Sequence, residues 1–587
     1  MKKRDLRIQA WIELALALAL IILVNYLSSG FFTRIDFTKE KRYTLSDASK
    51  RLADSLDDVL YVKIYLDGDD MPAAYRNLRN ATKEMLDEFR YASGSDIEYE
   101  ISNPLEGLEG EELRNMLLSL RQGGIQVLDL YEKTNDGSRQ KLIVPGAHFF
   151  YKGQQYPVHL VDPSMTVNNQ STINRAIEGL EFAIANTIRR CVNRSAKRVA
   201  FMQGHGELDE VETADARRLL EEFYIVESMN LNFDDSSYYI QFLDQLQNIN
   251  PDSFGFVLDK LTKDKLNEYD AIVFAKPRIG FADREKYWID QYVMHGGKVM
   301  WMIDPVLAET DSLGKYGKVY TADYDLNLND LLFKYGARVN LNLVQDYNAL
   351  IVPFARQGGG IDPRPWFYFP VVPSMNNHAI NRNIDLTWLQ FPASVDTVGS
   401  PLLKKTVLLQ SSSLARISSH PAEINLSIAR KDPGQDYFPN ADVPLAVLIE
   451  GTFESPYAFV DRKDFDPQGT YRSSVEGGKM IVVGDGDLIH NYMKQDGQIY
   501  PAGYDRLTKK TFGNRMFFMN CMDYLVDDFG LIEVRNKDIQ LRLLDKEKIS
   551  KPAEQTKWKV INVVVPIVLI LLFGVLNGFI RKRKYER

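Results

Sequence analysis

Two long apolar runs, one near each end of the chain, most constrain what this sequence can fold into. The first run covers residues 10–28 and the second covers residues 558–580. A helix needs about 20 mainly apolar residues to cross a hydrocarbon core of about 30 Å, and both runs are that long. We predict a transmembrane helix at each run. The competing interpretation of the first run is a cleaved signal peptide, whose apolar region would be shorter, at roughly 7–15 residues.

Charged residues on the outer flanks of the two runs predict the orientation. Residues 1–9 form a basic tail before the first run, and residues 581–587 form a second basic tail after the other. Lys and Arg are enriched in segments that stay in the cytoplasm. We therefore predict that both termini are cytoplasmic and that the bulk of the chain lies on the periplasmic side of a bacterial inner membrane.

Glu13 is an acidic residue inside the first run, close to its predicted cytoplasmic edge. An ionisable side chain within a membrane helix is costly, and it usually faces protein or marks a functional position. Two interpretations stay open. Glu13 either extends to the nearby interface or contacts a helix of a partner subunit in the membrane.

Composition excludes several functional classes. The net charge is −8, so a nucleic-acid binder with a basic face is not expected. The sequence has no GxxxxGK[ST] motif, which excludes a P-loop ATPase. Its two cysteines, Cys191 and Cys521, fit neither a zinc site nor a disulfide framework. We predict buried thiols, with a long-range disulfide as the alternative.

The region between the apolar runs predicts an α/β fold, because segments with strand and helix patterns alternate along it. One part is predicted to be a doubly wound parallel sheet of the flavodoxin or amidotransferase type. The predicted divisions are a small α/β domain (29–172), the doubly wound domain (173–320), a mixed α/β region that completes or extends the periplasmic part (321–535) and a membrane-proximal linker (536–557).

Some elements can be predicted individually. Ser46 is expected to cap a helix that ends near Ser55. A strand is expected at Ala271–Ala275, and one long helix is expected over residues 174–191. Residues 357–373 combine a Gly-rich stretch with four prolines, a composition that predicts a long loop.

One turn after a predicted strand has the composition of a binding or catalytic site. It consists of Gln203, Gly204, His205, Gly206 and Glu207. Open α/β sheets place ligands at the carboxyl ends of their strands, and His205 with Glu207 can form an acid/base or metal pair. The alternative is a structural turn that caps the next helix. Because a metal site needs three or four ligands and no HExxH or CxxC motif supplies them, we predict no metal site.

A second polar segment follows the strand that ends at Val483. Its residues Asp485 and Asp487 are candidate oxygen ligands for a divalent cation, or Asp caps on a following helix. No turn carries the Cys or Ser nucleophile of an amidotransferase-like sheet, since the corresponding turn begins Lys276-Pro277. We therefore predict neither a catalytic residue nor a cofactor. The alternative function is a membrane-tethered hydrolase or amidotransferase-like enzyme that uses His205 and Glu207.

Short segments in a fixed order along the chain carry a resemblance to a known family. They are RIDFT (34–38), KRYTLS (41–46), YLDG (65–68), LRNAT (78–82), FMQGHGE (201–207), LFKYG (332–336), LLQSS (408–412), IEG (449–451) and GNR (513–515). The chain resembles the gliding-motility-associated ABC-transporter auxiliary component of Bacteroidetes, often described as substrate-binding. The resemblance implies a non-catalytic partner of a multi-span ABC permease and a separate cytoplasmic ATPase, associated with gliding or surface-protein export. It also implies a binding module related to a domain of intraflagellar-transport proteins, with a periplasmic protein or a small molecule as its ligand.

Overall fold

The computed structural model describes most of the chain between the two predicted spans, together with the C-terminal helix. The described ranges are 44–68, 71–94, 96–134, 137–161, 170–192, 197–246, 254–308, 316–355, 360–373, 378–382, 384–430, 433–459, 469–527 and 552–585, with a few isolated positions besides. The chain divides into two compact units, residues 1–537 and residues 538–587. Within the first unit we distinguish an N-terminal lobe (44–192) and a sheet lobe (197–527).

The N-terminal lobe is a small α/β assembly. Its elements are α1 (Asp47–Asp54), β1 (Leu60–Ile64), α2 (Ala73–Ala92), β2 (Ile97–Ile101), α3 (Gly110–Gln122), β3 (Leu128–Thr134), β4 (Gly137–Ile143), β5 (Gly146–Tyr151), β6 (Gln154–His159), α4 (Gln170–Glu178) and α5 (Leu180–Val192). Four strands form a sheet in the order β2-β1-β5-β6, in which β1 and β2 are parallel and β5 is antiparallel to β1. The Ser46 side chain accepts a hydrogen bond from the Ser49 amide and caps α1, which confirms the predicted helix start.

Two predictions for this lobe differ from the structure. The strand predicted at residues 125–130 begins at Leu128, and it pairs with β4 in a separate hairpin rather than joining the sheet. The single helix predicted over residues 174–191 is two helices, α4 and α5, separated at Gly179. Glycine lowers helix stability by about 1 kcal/mol relative to Ala, because it restricts the unfolded backbone less.

The sheet lobe is built on a seven-stranded sheet. Its main elements are β7 (Arg198–Gln203), α6 (Ala214–Glu221), β8 (Ile225–Asn230), α7 (Ser236–Ile240), α8 (Leu243–Leu246), α9 (Phe254–Leu266), β9 (Ala271–Ala275), α10 (Asp283–Met294) and β10 (Lys298–Met302). Three strands from farther along the chain complete the sheet, namely β20 (Leu403–Gln410), β23 (Pro444–Glu454) and β24 (Ser474–Val483). The strand order is β20-β23-β24-β10-β9-β7-β8. The five strands from β8 to β24 are parallel to one another, and β23 pairs in the antiparallel sense with both β24 and β20. The sheet thus crosses residue 320, where the sequence predicts a domain boundary.

The other strands and α-helices described for this lobe include three strands of the main sheet and two helices. They are β11 (Val306–Leu307), β12 (Lys318–Tyr320), β13 (Ala322–Asp323), α11 (Asn329–Tyr335), β14 (Ala337–Val339), β15 (Asn342–Asp346), β16 (Ala349–Ala355), β17 (Ile361–Val372), β18 (Thr387–Trp388), β19 (Val395–Thr397), β20 (Leu403–Gln410), β21 (Ala415–Ser419), β22 (Glu423–Asn425), β23 (Pro444–Glu454), β24 (Ser474–Val483), β25 (Tyr504–Asp505), β26 (Lys510–Thr511) and α12 (Asn514–Val526).

Both faces of the main sheet are covered by helices. On one face, Val199 and Phe201 of β7 belong to a core that also contains residues of α6 and α12. On the other face, Ala200 and Met202 belong to a core with residues of α9 and α10. Alternate residues of a strand point to opposite faces, so an apolar strand such as β9 is buried on both sides. The mixed α/β class predicted from the sequence is confirmed.

The predicted loop at residues 357–373 is wrong for most of its length. Residues Ile361–Val372 form strand β17, which pairs with β16 and places Pro365 opposite Ile351. Among the described elements, β18 pairs with β17 only at Val371 and Val372. Proline has no amide to donate and is tolerated where one side of a strand is unpaired. Pro363 and Pro365 lie in the part of β17 that pairs with β16 alone among the described elements, so they mark an edge rather than a loop.

The C-terminal unit contains one long helix, α13 (Pro552–Tyr585). Its segment Pro552–Ile580 contains an 18-residue window with a mean hydropathy of 2.7. In the described part of the chain it is the one helix that is long and apolar enough to cross a membrane. This range includes the run predicted at residues 558–580. The run at residues 10–28 lies almost wholly outside the described residues, and so does Glu13, so those predictions are untested.

Candidate functional site

The two polar segments singled out from the sequence lie at the same edge of the main sheet. Residues 203–207 follow the carboxyl end of β7, and residues 484–487 follow the carboxyl end of β24. These strands are parallel to β9 and β10, which lie between them. Lys276 follows β9 and Asp304 lies just after β10 at this same edge. The structure thus assembles two clusters of charged side chains from loops far apart in sequence.

The first cluster surrounds His205, whose side chain is fully buried. His205 Nε2 lies 3.0 Å from Glu285 Oε2 of α10, and the ring stacks on Phe281 with a centroid separation of 3.8 Å. The His205 amide donates to Glu207 Oε2 at 2.7 Å. The turn therefore folds back on itself and is held against the start of α10.

Two atoms of this cluster lack hydrogen bonds. His205 Nδ1 and Glu207 Oε1 are buried without a partner among the described residues, and they lie 3.7 Å apart. Burial lowers the pKa of His205, but the carboxylates of Glu207 and Glu285 outweigh it and raise this pKa to about 9. An imidazolium between two carboxylates thus stabilises the turn.

The glycines of the turn allow the backbone to approach its neighbours closely. Gly204 has a φ of +107°, and a Cβ atom there would overlap the Asn230 side chain at the end of β8. The Asn232 amide group donates to the Gly204 carbonyl at 2.7 Å. The His205 carbonyl accepts from the amides of Arg278 and Ile279 at 2.7 Å and 2.9 Å. The backbone of this turn is therefore bound to the ends of both β8 and β9.

The second cluster surrounds the buried amine of Lys276. Its Nζ lies 2.5 Å from Asp487 Oδ2 and 3.1 Å from Asp304 Oδ2. Lys276 is a non-glycine residue with a φ of +59°, in the left-handed region. Burial lowers its pKa, but Asp304 and Asp487 outweigh that effect and raise it. The amine is therefore a fixed cation at the end of the central strand.

The carboxyl groups of this cluster differ in their pKa and in their partners. Burial raises the pKa of Asp304 to about 6, although Lys276 acts in the opposite direction. Burial also raises the pKa of Asp485 well above its ordinary value. Asp485 accepts from the amides of Gln390 and Asp487 at 2.8 Å and 2.7 Å, and no cation contacts it among the described residues. Asp485 thus orders the backbone of its own turn.

Close packing at the glycines keeps this turn against the sheet. A Cβ atom on Gly486 would lie 2.6 Å from Cγ of Lys276, and the Gly486 amide donates to Asp304 Oδ1 at 2.6 Å. Residues 484–491 form turns with no helix, so the predicted Asp cap on a following helix is wrong. The turn is fixed by Lys276 and Asp304 instead.

Two partly exposed side chains reach the solvent side of the second cluster. Asp487 is 15% exposed and His490 is 18% exposed at their side chains. His490 Nε2 lies 3.9 Å from Glu212 Oε1, and burial lowers the pKa of this histidine. In the described part of the chain, no group of three or more His, Cys, Asp or Glu side chains is placed to hold a metal ion.

The turns of both clusters can be identified from the sequence, but their partners cannot. Glu285 lies 80 positions from His205, and Lys276 lies 211 positions from Asp487. In the sequence, Lys276 stands out only as part of a turn without a nucleophile. Its position directly after a wholly buried strand is the one sequence signal for its role. Cys191 and Cys521 are free, buried thiols.

Comparisons with known proteins place the chain among transport systems. A family described as an ABC-type uncharacterized transport system matches residues 196–521. A family described as a domain of unknown function matches residues 39–149. An uncharacterized protein of Borreliella burgdorferi is 21% identical over 593 residues, covering 98% of each chain. A solved structure described as the mmIFT52 N-terminal domain is 15% identical, with a TM-score of 0.31, and covers 56% of this chain and 98% of its own.

Proposed function

The chain belongs to the auxiliary family described as an ABC-type uncharacterized transport system, and on that premise we propose that it is a non-catalytic, membrane-anchored subunit of an ABC transporter. In this proposal it works by binding a protein or a small ligand outside the bilayer. A separate multi-span permease forms the path across the membrane. A separate cytoplasmic ATPase supplies the energy, since the chain has no P-loop motif.

One observation carries the proposal. The family match over residues 196–521 covers the whole seven-stranded sheet and both charged clusters at its edge. The part of the chain that would be an active site in an α/β enzyme is therefore the part that the family assigns to a transport system. The function is best sought in that assembly.

Burial of the first cluster supports a non-catalytic role. A catalytic base must reach within about 3 Å of the proton it removes. His205 is fully buried, its Nε2 is bound to Glu285, and its ring is covered by Phe281. A substrate cannot reach this imidazole without opening the turn. The geometry therefore favours a structural role for His205 and Glu207 over the hydrolase or amidotransferase-like alternative.

The strand order supports the finer description of the fold as doubly wound. The first of the parallel strands in the chain is β7, and the next one, β8, lies on one side of it. The later strands β9, β10 and β24 lie on its other side, so the order in which strands are added to the sheet reverses between β7 and β9. Open α/β sheets bind ligands at such a switch point. Here the turn of His205 is bound to Arg278 and Ile279 at that position. We infer that ligands bind to another surface of the sheet lobe.

The membrane arrangement is a further part of the proposal. The apolar segment of α13 supports an anchor at the C-terminal end. The basic residues that follow it support a cytoplasmic C-terminus. A second span at residues 10–28, a cytoplasmic N-terminus, a periplasmic bulk and a membrane partner contact at Glu13 rest on the sequence. The association with gliding motility or surface-protein export rests on the sequence resemblance alone.

Purification of the full-length chain tests the proposal. The tagged chain is extracted from native membranes in a mild detergent, and the proteins that accompany it are identified by mass spectrometry. We expect a permease with many spans and an ATPase in constant ratio to the chain. A tagged control, in which residues 552–587 are replaced by an unrelated transmembrane helix, separates specific partners from general membrane carry-over. A single-component particle in repeated preparations would contradict the proposal.

A further inference from the structure

A short hairpin lies beside the second cluster, at the carboxyl edge of the main sheet. It contains β25 and β26 and covers residues 503–512, and we call it the basic hairpin. The Arg506 guanidinium lies 3.9 Å from the ring centroid of Tyr492, and that centroid lies 4.8 Å from the ring centroid of His490. The hairpin therefore stands next to one of the two side chains that reach the solvent side of the cluster.

The base of the basic hairpin is fixed to the sheet lobe. The Phe512 amide donates to the Gly503 carbonyl at 2.9 Å and closes the hairpin. Gly503 has a φ of +77°, and a Cβ atom there would lie 2.8 Å from Cβ of Asn514 in α12. The Gly513 amide donates to the Leu386 carbonyl at 2.8 Å. Because neighbouring elements hold the base, this backbone needs little ordering when a partner binds, and such ordering is one of the costs of association.

The exposed charges of the basic hairpin are all positive. Arg506, Lys509 and Lys510 are exposed, and none of the three forms an ion pair with a carboxylate of the described residues. The one acidic residue of the hairpin, Asp505, is 4% exposed and accepts from two backbone amides of its own turn, at 3.2 Å and 2.8 Å. The whole chain has a net charge of −8. Three unpaired cations on one hairpin of an acidic chain favour a partner with negative charge.

Apolar and aromatic side chains accompany these cations. Leu507 lies at the tip of the hairpin and is 57% exposed. Tyr500 and Tyr504 stack with a centroid separation of 4.5 Å, and the ring that Arg506 covers is a third tyrosine. Tyr and Arg are enriched at protein–protein interfaces and among the residues that dominate their binding energy. Clusters that bind anionic lipids contain about four to eight Lys and Arg residues, so three cations with tyrosines favour a protein.

We propose that the basic hairpin is a docking surface for an acidic segment of a partner protein. Carboxylates of that segment pair with Arg506, Lys509 and Lys510, and one of its apolar side chains covers Leu507. Such docking rests on the proposed function, in which this subunit works by binding. It takes place at the edge of the sheet lobe where β24 ends, away from the closed switch point between β7 and β9.

Photo-crosslinking of the full-length chain in native membranes tests this docking surface. A photoreactive phenylalanine analogue replaces Leu507, and in a second chain it replaces Phe333 of α11, which is 52% exposed and serves as the control position. Lys509→Glu and Lys510→Glu are compared with the parent that carries the analogue at residue 507. Lys260→Glu on α9 reverses an exposed charge elsewhere on the sheet lobe and is the matched control.

We expect one crosslinked protein at residue 507 that is absent at residue 333, and we expect its crosslinked peptide to be rich in Asp and Glu. The yield should fall about two- to fivefold in Lys509→Glu and in Lys510→Glu, and salt at about 1 M should lower it in the parent. Lys260→Glu should leave the yield unchanged. Replacing a carboxylate of the crosslinked peptide by Lys should restore the yield of the hairpin variants.

A crosslink to lipid, to a second copy of this chain or to a peptide without acidic residues would overturn the proposal, and so would a yield that neither hairpin variant lowers. Absence of a product at residue 507, while a permease and an ATPase accompany the chain, would overturn it and leave the proposed function intact. If neither protein accompanies the chain, the proposed function fails. A crosslink to an acidic peptide that both variants weaken would in that case support the docking surface outside an ABC transporter.

Discussion

His205 Nε2 lies 3.0 Å from Glu285 Oε2, and this contact joins the turn after β7 to the first turn of α10. Glu285 also accepts from the amide of Ala282 at 2.7 Å and from the amide of Phe233 at 2.8 Å. One buried carboxylate therefore holds the His205 turn, the start of α10 and the segment after β8 together. It is placed to stabilise the sheet lobe.

Replacing Glu285 by Gln should destabilise the sheet lobe by about 3–5 kcal/mol, because the substitution leaves a buried imidazolium with a poorer partner. The measurement is urea unfolding of the full-length chain in detergent, followed by the fluorescence of Trp288 and Trp301, which are buried in this lobe. Asp283→Asn on the same helix is the control, since the Asp283 side chain is 72% exposed and should cost less than about 1 kcal/mol. An equal loss of unfolding free energy in the two variants would contradict a stabilising role for the Glu285 carboxylate.

The same pair predicts a loss of stability at alkaline pH. The folded state raises the pKa of His205 from 6.5 to about 9, so it holds a proton that the unfolded chain releases. The stabilisation is complete below pH 6.5 and is lost as the pH rises through 9, with a total of about 3 kcal/mol. The midpoint of urea unfolding should fall as the pH rises through this range in the parent. It should fall less steeply with pH in His205→Gln. A parallel slope in both proteins would rule out His205 as the cause.

Lys276→Met should destabilise the sheet lobe by about 3–5 kcal/mol near neutral pH, since Asp304 and Asp487 would lose their buried counter-ion. Lys276 lowers the pKa of Asp304, which is about 6 in the parent, so without Lys276 this carboxyl takes up a proton at a higher pH. The penalty should therefore shrink as the pH falls toward about 6. Lys404→Met is the matched control, because the Lys404 side chain is 72% exposed and contacts Glu450 at 3.5 Å. A penalty that does not change with pH would indicate that lost packing, rather than lost charge, dominates.

Local elements of the fold could be predicted where short-range physics decides them. The Ser46 cap follows from a hydroxyl before an amphipathic run, and the strand Ala271–Ala275 follows from a short apolar run bounded by polar residues. The strand β17 could not be predicted, because its prolines are tolerated only where a neighbouring strand is missing. That property belongs to the sheet and not to the segment itself.

The candidate site could be predicted only in part for the same reason. The turns of His205 and Asp485 are visible in the sequence, since glycines and polar residues follow apolar strands. Their meaning depends on Glu285 and Lys276, which the fold brings from other loops. Sequence spacing carries no signal for such contacts. An acid/base pair and a structural ion pair therefore look alike until the partners and the burial are known.

Acid pH should loosen the N-terminal lobe through His148, which is buried. Its Nδ1 accepts from the Tyr65 hydroxyl at 2.9 Å, and its Nε2 donates to the Gly123 carbonyl at 2.8 Å. Burial lowers the pKa of His148, so the unfolded chain takes up a proton first and stability is lost as the pH falls below 6.5. The protection factors of the β1 and β5 amides, which correct their exchange rates for the pH dependence of intrinsic exchange, should fall below that pH, whereas those of β9 should change less.

Tyr65→Phe provides the matching variant for this lobe. Removal of the hydroxyl leaves His148 Nδ1 buried without its donor, which should cost about 1–3 kcal/mol. It should also reduce the acid sensitivity of the exchange, because a proton on Nδ1 no longer breaks a hydrogen bond. The exposed His159 in β6 is the control, and His159→Gln should leave the pH dependence unchanged.

Deletion of residues 552–587 should leave the chain in the membrane if residues 10–28 form a second span. Both apolar runs are long enough to hold the chain independently, since each reaches the roughly 20 residues that a spanning helix needs. The truncated chain should resist extraction by alkaline carbonate, and only the removal of both runs should release it. A cysteine replacing Met493, which is 55% exposed in the sheet lobe, should react with a membrane-impermeant thiol reagent in intact spheroplasts of both the full-length and the truncated chain. Release of the chain that lacks only residues 552–587 would show that α13 is the only anchor. Protection of the cysteine from the reagent would place the sheet lobe on the cytoplasmic side.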